Sequence, residues 1–169
     1  YAYAGKMQLD NFTDQLMIQK ASGNSDLSPL QNAFSGYARY WHGYLVFLRP
    51  LLMVFSYGSI RYLSVFHLTL LMFGVAIMLS KKLGVRYAIL FGIVLSMCNY
   101  IIFPYSLQFS SVFYVMLYAM LFILLFNKRR NDHAWLACIF LTIGSITNFV
   151  DLLTAPLLTL GIPLAFCYL

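Results

Sequence analysis

The sequence predicts an all-α fold: a polytopic membrane helical bundle preceded by an extracytoplasmic segment of amphipathic and juxtamembrane helices. Of its 169 residues, 62% are hydrophobic and only 9% are charged, whereas soluble domains carry about 25% charged residues. Long apolar runs follow one another from residue 60 onward, separated by short loops. These observations exclude an ordinary soluble globule, a disordered tail and a nucleic-acid-binding domain.

The first 59 residues are predicted to form an extracytoplasmic loop, of which residues 1–36 are the polar part. Four apolar side chains at helical spacing predict a short amphipathic helix near residues 9–21. Residues 21–29, rich in Ser, Asn and Gly, predict a loop, and an aromatic face predicts a second helical piece at about 31–44. The apolar run 44–55, interrupted by Arg49–Pro50, is too short to span and predicts an interfacial segment.

The second part, residues 60–169, predicts four membrane spans and a fifth that is cut short. A span needs roughly 20 apolar residues, and short connections place neighbouring helices antiparallel. The predicted spans cover residues 60–80, 87–103, 107–126, 134–150 and 155–169. The chain begins with Tyr1 and ends inside an apolar run. We therefore expect a fragment that lacks a first span and the C-terminal part.

Charge predicts the orientation of these spans. Six of the eleven basic residues lie in two loops, 81–86 and 127–133. The loops are two spans apart and so lie on one side, which the positive-inside rule makes cytoplasmic. Four of the five aspartates then fall on the extracytoplasmic side, three of them within residues 1–59; only Asp132 lies inside. The sequence therefore predicts that the polar side chains able to form a site lie at the extracytoplasmic face.

Asp10 and Asp14, in the motif LDNFTD, are the candidate catalytic residues. A spacing of four places both carboxylates on one helix face, where they could share a metal or raise one another's pKa. Alternatively, Asp10 caps the helix and Asp14 stabilises its first turn.

Substrate-binding candidates lie mainly in the segment RYWHGYLVFLR, which contains Arg39, Trp41, His42 and Arg49. Arginine binds phosphate bidentately, although aromatic residues and arginines also form interfacial belts. Arg49 interrupts an apolar run, where a charge generally has a partner or a ligand. Asp151 either faces the same extracytoplasmic cavity as Asp10 or supports the start of the helix that follows it.

Other polar side chains carry weaker indications. His67 and Asn99 lie within predicted spans, where interhelical hydrogen bonding is the expected role. The sequence contains no Ser-His-Asp arrangement, HExxH motif or phosphate-binding glycine loop. It therefore predicts no metal ligands and leaves the cofactor unknown, with a divalent metal open but not indicated.

The order of features resembles the GT-C type, polyprenyl-phosphate-dependent membrane glycosyltransferases. An acidic residue in an outer loop, here Asp10, precedes a juxtamembrane segment with a basic residue before proline and leucines, here YWHGYLVFLRPLL at 40–52. The resemblance covers roughly residues 9–80 and the general topology. It implies that Asp10, or else Asp14, is the catalytic base, and that Arg49 lies near the donor phosphate.

The predicted function is transfer of a sugar from a lipid-phosphate donor to an acceptor on the extracytoplasmic face. The predicted partners are a lipid-linked sugar donor and membrane lipids, with no nucleic acid, and the predicted location is a bacterial plasma membrane. The alternatives are a transporter or flippase of envelope lipids or glycans, and a non-catalytic assembly subunit. Few polar groups within the spans disfavour the transporter.

Overall fold

The computed structural model describes residues 8–22, 28, 31, 42–97, 100–126, 132–150 and 156–168, with the backbone alone for residues 8–13, 15, 101, 108 and 156. This part of the chain is all-helical, without β-strands. Its seven α-helices are α1 (Gln8–Ser22), α2 (Leu45–Val54), α3 (Tyr57–Lys82), α4 (Val85–Met97), α5 (Leu107–Leu125), α6 (His133–Val150) and α7 (Pro156–Cys167). A 3₁₀ helix, Tyr100–Tyr105, connects α4 to α5.

The two short helices predicted before residue 60 correspond to α1 and α2. In α1, Met17 and Ala21 are buried against Tyr44 and Leu45 at the start of α2. The predicted piece at 31–44 lies mostly outside the described residues. Its end is a turn at Gly43–Tyr44 in place of the expected helix, because the Gly43 amide donates to the carbonyl of Phe149 at 3.0 Å.

The helices after residue 56 begin and end at recognisable signals. Ser56 caps α3, its hydroxyl accepting from the Ser59 amide at 3.3 Å. Gly84 follows α3 with a φ of +114°, a conformation that favours glycine. Asp132 caps α6 by accepting from the amides of Ala134 and Trp135, both at 3.1 Å.

The apolar runs predicted as spans coincide in position with α3 to α7, with one clear difference, while their crossing of a membrane stays a prediction. The run predicted at 87–103 is divided between α4 and the 3₁₀ helix, which includes Pro104. Proline cannot donate a backbone hydrogen bond, so it breaks the regular helix. Among the described residues, two helices, α3 and α6, are long and apolar enough to cross a membrane, by length and composition alone; the other apolar helical stretches are shorter.

The core is built on α3 and α5. The fully buried side chains Leu68 and Val75 from α3 meet Met116 and Leu117 from α5. Both helices begin at the same end, since Tyr57 and Leu107 contact one carboxylate, so they run parallel. The other long helices pack around this pair, with α4 on α3 and with α6 and α7 on α5.

Three separate polar segments meet at the end where α3 and α5 begin. Asp14 of α1 contacts Ser106 and Leu107, and Gly43 contacts Phe149 near the end of α6. Asp14 and Gly43 belong to residues 1–59, which are assigned above to the extracytoplasmic side. Their meeting at one end agrees with that assignment, while sidedness itself stays a prediction.

Glycine at position 43 is required by the close approach of the turn to α6. A Cβ atom there would overlap both the carbonyl oxygen and the ring of Phe149. We expect Gly43→Ala to destabilise the fold by roughly 2 kcal/mol, as a forced overlap in a packed contact does. Thermal unfolding of the purified protein measures this effect.

The matched control is Gly58→Ala in the first turn of α3, where no atom lies within 4 Å of the added Cβ. Alanine is the better helix former by about 1 kcal/mol, so this variant should be neutral or slightly stabilised. Equal destabilisation of both variants would contradict the proposed packing of the turn on α6.

Candidate functional site

The structure describes only some of the predicted site residues. Asp14, His42 and Arg49 have described side chains, whereas for Asp10 the backbone alone is described, within α1. The remaining three candidates lie outside the described residues: Arg39, Trp41 and Asp151. The described candidates all belong to α1, α2 or the turn before α2.

Asp14 is buried where α1, α3 and α5 meet, with 3% of its surface exposed. Its carboxylate accepts hydrogen bonds from the Tyr57 hydroxyl at 3.0 Å and from the Leu107 amide at 3.1 Å. The Ser106 hydroxyl donates to it at 3.4 Å. Because Leu107 is the first residue of α5, the carboxylate also compensates that helix's N-terminal partial charge. Asp14 thus acts as a cap supplied by a distant helix.

Arg61 belongs to the same region, although the sequence analysis did not select it. Its guanidinium lies over the rings of Tyr57 and Tyr105, 5.4 and 5.7 Å from their centroids. Only 8% of the residue is exposed. The signal that could have revealed it is a charged residue inside an apolar helix, which usually has a defined environment.

His42 occupies the turn that contacts α6. Neither ring nitrogen is accessible to solvent, and neither has a hydrogen-bond partner among the described residues. Its ring packs edge-on against Tyr44, with centroids 5.7 Å apart. Burial, and secondarily the positive charge of Lys20, lower the pKa of His42 below its usual value of 6.5. The imidazole is therefore held in its neutral form at neutral pH.

Arg49 lies within α2, directly before Pro50, and is partly buried. Pro50 removes one backbone donor from this short helix. The helix α2, which carries Arg49, packs against both α1 and α3.

A cleft of about 840 Å³ runs along α3 and α5 from this polar end. At the polar end it is bounded by Met17, Tyr44 and Leu107, which lie beside Asp14. Further along, it is bounded by Tyr118 and Phe122 on α5, which remain 48% and 45% exposed. The cleft is therefore open at the protein surface, and its volume is within the range of ligand-binding pockets.

Hydrogen-bonded side chains link α3 to α5 along this cleft. The Tyr118 hydroxyl and His67 Nε2 are 2.9 Å apart, and the Tyr114 hydroxyl donates to the Ser64 hydroxyl at 3.2 Å. The expected interhelical hydrogen bond of His67 is thus confirmed. Asn99 lies outside the described residues.

Within the described ranges, no group of three or more His, Cys, Asp or Glu residues could hold a metal ion. No known protein family, curated protein or solved structure matches the chain.

Replacing Asp14 tests its role as a cap. Alanine at this position leaves the Tyr57 hydroxyl and the Leu107 amide without the carboxylate oxygen that they share, so Asp14→Ala should destabilise the protein by roughly 2 kcal/mol. Thermal unfolding in detergent measures the change. Asp14→Asn is the matched control, since its amide oxygen can accept from both donors, and this variant should unfold close to wild type. A cap role for Asp14 fails if both variants unfold like wild type.

The depressed pKa of His42 predicts a pH dependence of stability. The unfolded chain, with a histidine pKa near 6.5, binds a proton at higher pH than the folded chain does. The stabilising contribution is thus complete above pH 6.5 and is lost as the pH falls towards the lower folded pKa. We expect the unfolding temperature to drop between pH 7.5 and pH 5.5, and His42→Gln to reduce that drop. An unchanged pH profile in this variant would show that His42 is not the responsible group.

Proposed function

We propose that this chain belongs to a polytopic membrane glycosyltransferase, which moves a sugar from a lipid-phosphate donor to an acceptor on the extracytoplasmic face. A membrane position is supported by the surface of α3, where large apolar side chains are exposed at helical spacing. They are Tyr62, Phe66, Leu70, Phe73 and Ile77. Water would disfavour such a continuous apolar surface, whereas hydrocarbon would not.

One observation carries the proposal: the open apolar cleft ends at the helix that bears Asp10 and Asp14. A lipid whose hydrocarbon part lay in the cleft would place its polar end beside α1. There the lipid would meet the polar segments that gather around Asp14 and Gly43. This proximity of hydrocarbon site and polar end suits an enzyme whose substrate is lipid-linked.

In this proposal the two aspartates have different roles. Asp14 already accepts hydrogen bonds from Tyr57 and Leu107, so we assign it to positioning α1. Asp10, one turn earlier in α1, is assigned as the general base that removes the proton from the acceptor hydroxyl. The acceptor oxygen then attacks the anomeric carbon, and the bond from that carbon to the phosphate oxygen breaks.

Cationic groups would stabilise the departing lipid phosphate. We assign this role to Arg39 and Arg49, with Trp41 contacting the sugar or phosphate and Asp151 facing the same space. His42, predicted from the sequence to bind substrate, has buried ring nitrogens, so we assign it to positioning the turn before α2. The proposed location is a bacterial plasma membrane, with the basic loops 81–86 and 127–133 cytoplasmic and residues 1–59 outside. Membrane lipids and the lipid-linked donor are the proposed partners.

A transporter or flippase of envelope lipids is the second candidate, and one observation favours it. The polar side chains of the apolar helices are few, but Ser64, His67, Tyr114 and Tyr118 lie together along one cleft. Transporters place polar groups at such a depth, within the membrane.

Sugar release from radiolabelled polyprenyl-phosphate sugars tests the glycosyltransferase. The full chain, recovered from the membrane fraction and purified in detergent, should release sugar from at least one donor of a panel. Asp10→Asn should lower the rate by roughly 10²–10⁴-fold, the usual contribution of a general base, with unchanged thermal unfolding. Asp132→Asn, on the predicted cytoplasmic side, should retain full activity.

Different outcomes would redirect the assignment. Release that survives Asp10→Asn but is lost in a folded Asp14→Asn variant would move the base to Asp14. No release from any donor by well-folded protein would reject the glycosyltransferase. Movement of labelled lipid between the leaflets of proteoliposomes, without sugar release, would support the transporter instead.

A further inference from the structure

The cleft combines an apolar lining with uncharged polar groups. Among its described lining residues there is no aspartate, glutamate, lysine or arginine. The polar side chains are Tyr44, Ser64, His67, Ser110, Ser111, Tyr114, Tyr118 and Thr142. A phosphate bound there would have no cationic partner in this lining, and anions are strongly disfavoured in such surroundings.

Of the two polar residues of α3 that line the cleft, Ser64 and His67, His67 lies further along the helix. His67 lies ten residues after Tyr57, or about 15 Å along the helix at 1.5 Å per residue. Tyr118 is 48% exposed. In a membrane, the exposed part of this pair faces hydrocarbon in place of water, and an ionisable residue such as His67 within a membrane span is by default a candidate functional group.

Counting donors and acceptors shows that this pair retains hydrogen-bonding capacity. A tyrosine hydroxyl and a neutral imidazole together carry two donors, and the bond between Tyr118 and His67 uses one of them. In either histidine tautomer the pair keeps one N–H or O–H donor and at least one acceptor. Other hydroxyls of the cleft bond to their own helix: Ser110 donates to the Leu107 carbonyl and Thr142 to the Cys138 carbonyl.

We infer that the cleft binds a neutral lipid alcohol, with its hydrocarbon body against the apolar lining and its hydroxyl on the His67–Tyr118 pair. At the Tyr118 oxygen an alcohol can donate when that hydroxyl donates to His67, and can accept when His67 donates to it, so it bonds there in either tautomer. An ether cannot donate and bonds there in the second case only, and a phosphate brings a charge that the described lining does not balance. This inference rests on the proposed membrane position of the cleft but not on sugar transfer. If transfer occurs, such a lipid is a candidate acceptor.

Three photoactivatable lipids of identical chain test the inference: a long-chain alcohol, its methyl ether and its phosphate monoester. Each is cross-linked to the full chain purified in detergent, without any sugar donor, and labelled peptides are identified by mass spectrometry. We expect the alcohol to label α3, α5 and α6 along the cleft. Its affinity should exceed that of the ether by about three- to tenfold, the value of one hydrogen bond.

Two variants locate the hydroxyl. Tyr118→Phe should abolish the preference for the alcohol over the ether, since it removes one member of the pair. Thr142→Val is the matched control: it removes a hydroxyl from the same cleft, but one already bonded to Cys138, so the preference should persist. The comparison of the three lipids on the unchanged protein remains decisive even if a variant fails to fold.

Two results would overturn the inference. Tighter binding of the phosphate would identify the cleft as the site of a charged lipid. Equal binding of alcohol and ether would show that the His67–Tyr118 pair forms no hydrogen bond specific to the hydroxyl of the ligand. The inference and the glycosyltransferase proposal can fail separately, because lipid binding is measured without donor and sugar release without the alcohol.

Discussion

The parallel contact between α3 and α5 is the interaction on which the rest of this structure depends. Fully buried Leu68, Val75, Met116 and Leu117 form its centre. Because both helices begin at the same end, their first residues can share the Asp14 carboxylate. The same contact also aligns His67 with Tyr118 across the cleft. A shift of α5 by one turn, about 5.4 Å, would break all of these relations together.

The helical part of the fold could be predicted from the sequence because it depends on local signals. Apolar runs and their interruptions located α3, α5 and α6 closely, and the polar pattern located α1. The break after Met97 and the turn at Gly43 were not foreseen. The turn depends on a contact with Phe149, which lies more than a hundred residues later. Hydrophobic periodicity carries no information about such a distant contact.

The candidate site was predictable in its residue types but not in its geometry. Asp14 and His42 were predicted from their residue types, yet the hydrogen-bond partners of Asp14 lie on distant segments and cannot be read from local spacing. Arg61 was not predicted, although a charge in an apolar helix is itself a signal. The cleft could not be predicted, because it forms only where the side chains of α3, α5 and α6 leave space between them.

The two capping aspartates have different consequences for synthesis. Asp132 directly precedes α6 and caps it, so the first amides of that helix have their acceptor as soon as they are synthesised. The Asp14 carboxylate, in contrast, accepts from the amide of Leu107, which is synthesised 93 positions later in the chain. At about 5–20 residues per second, translation separates these partners by roughly 5–20 s. During that interval α1 has none of α5 to dock on, and its carboxylate must remain hydrated. Final docking of α1 is therefore a late event, after α3, α4 and the start of α5 have been made.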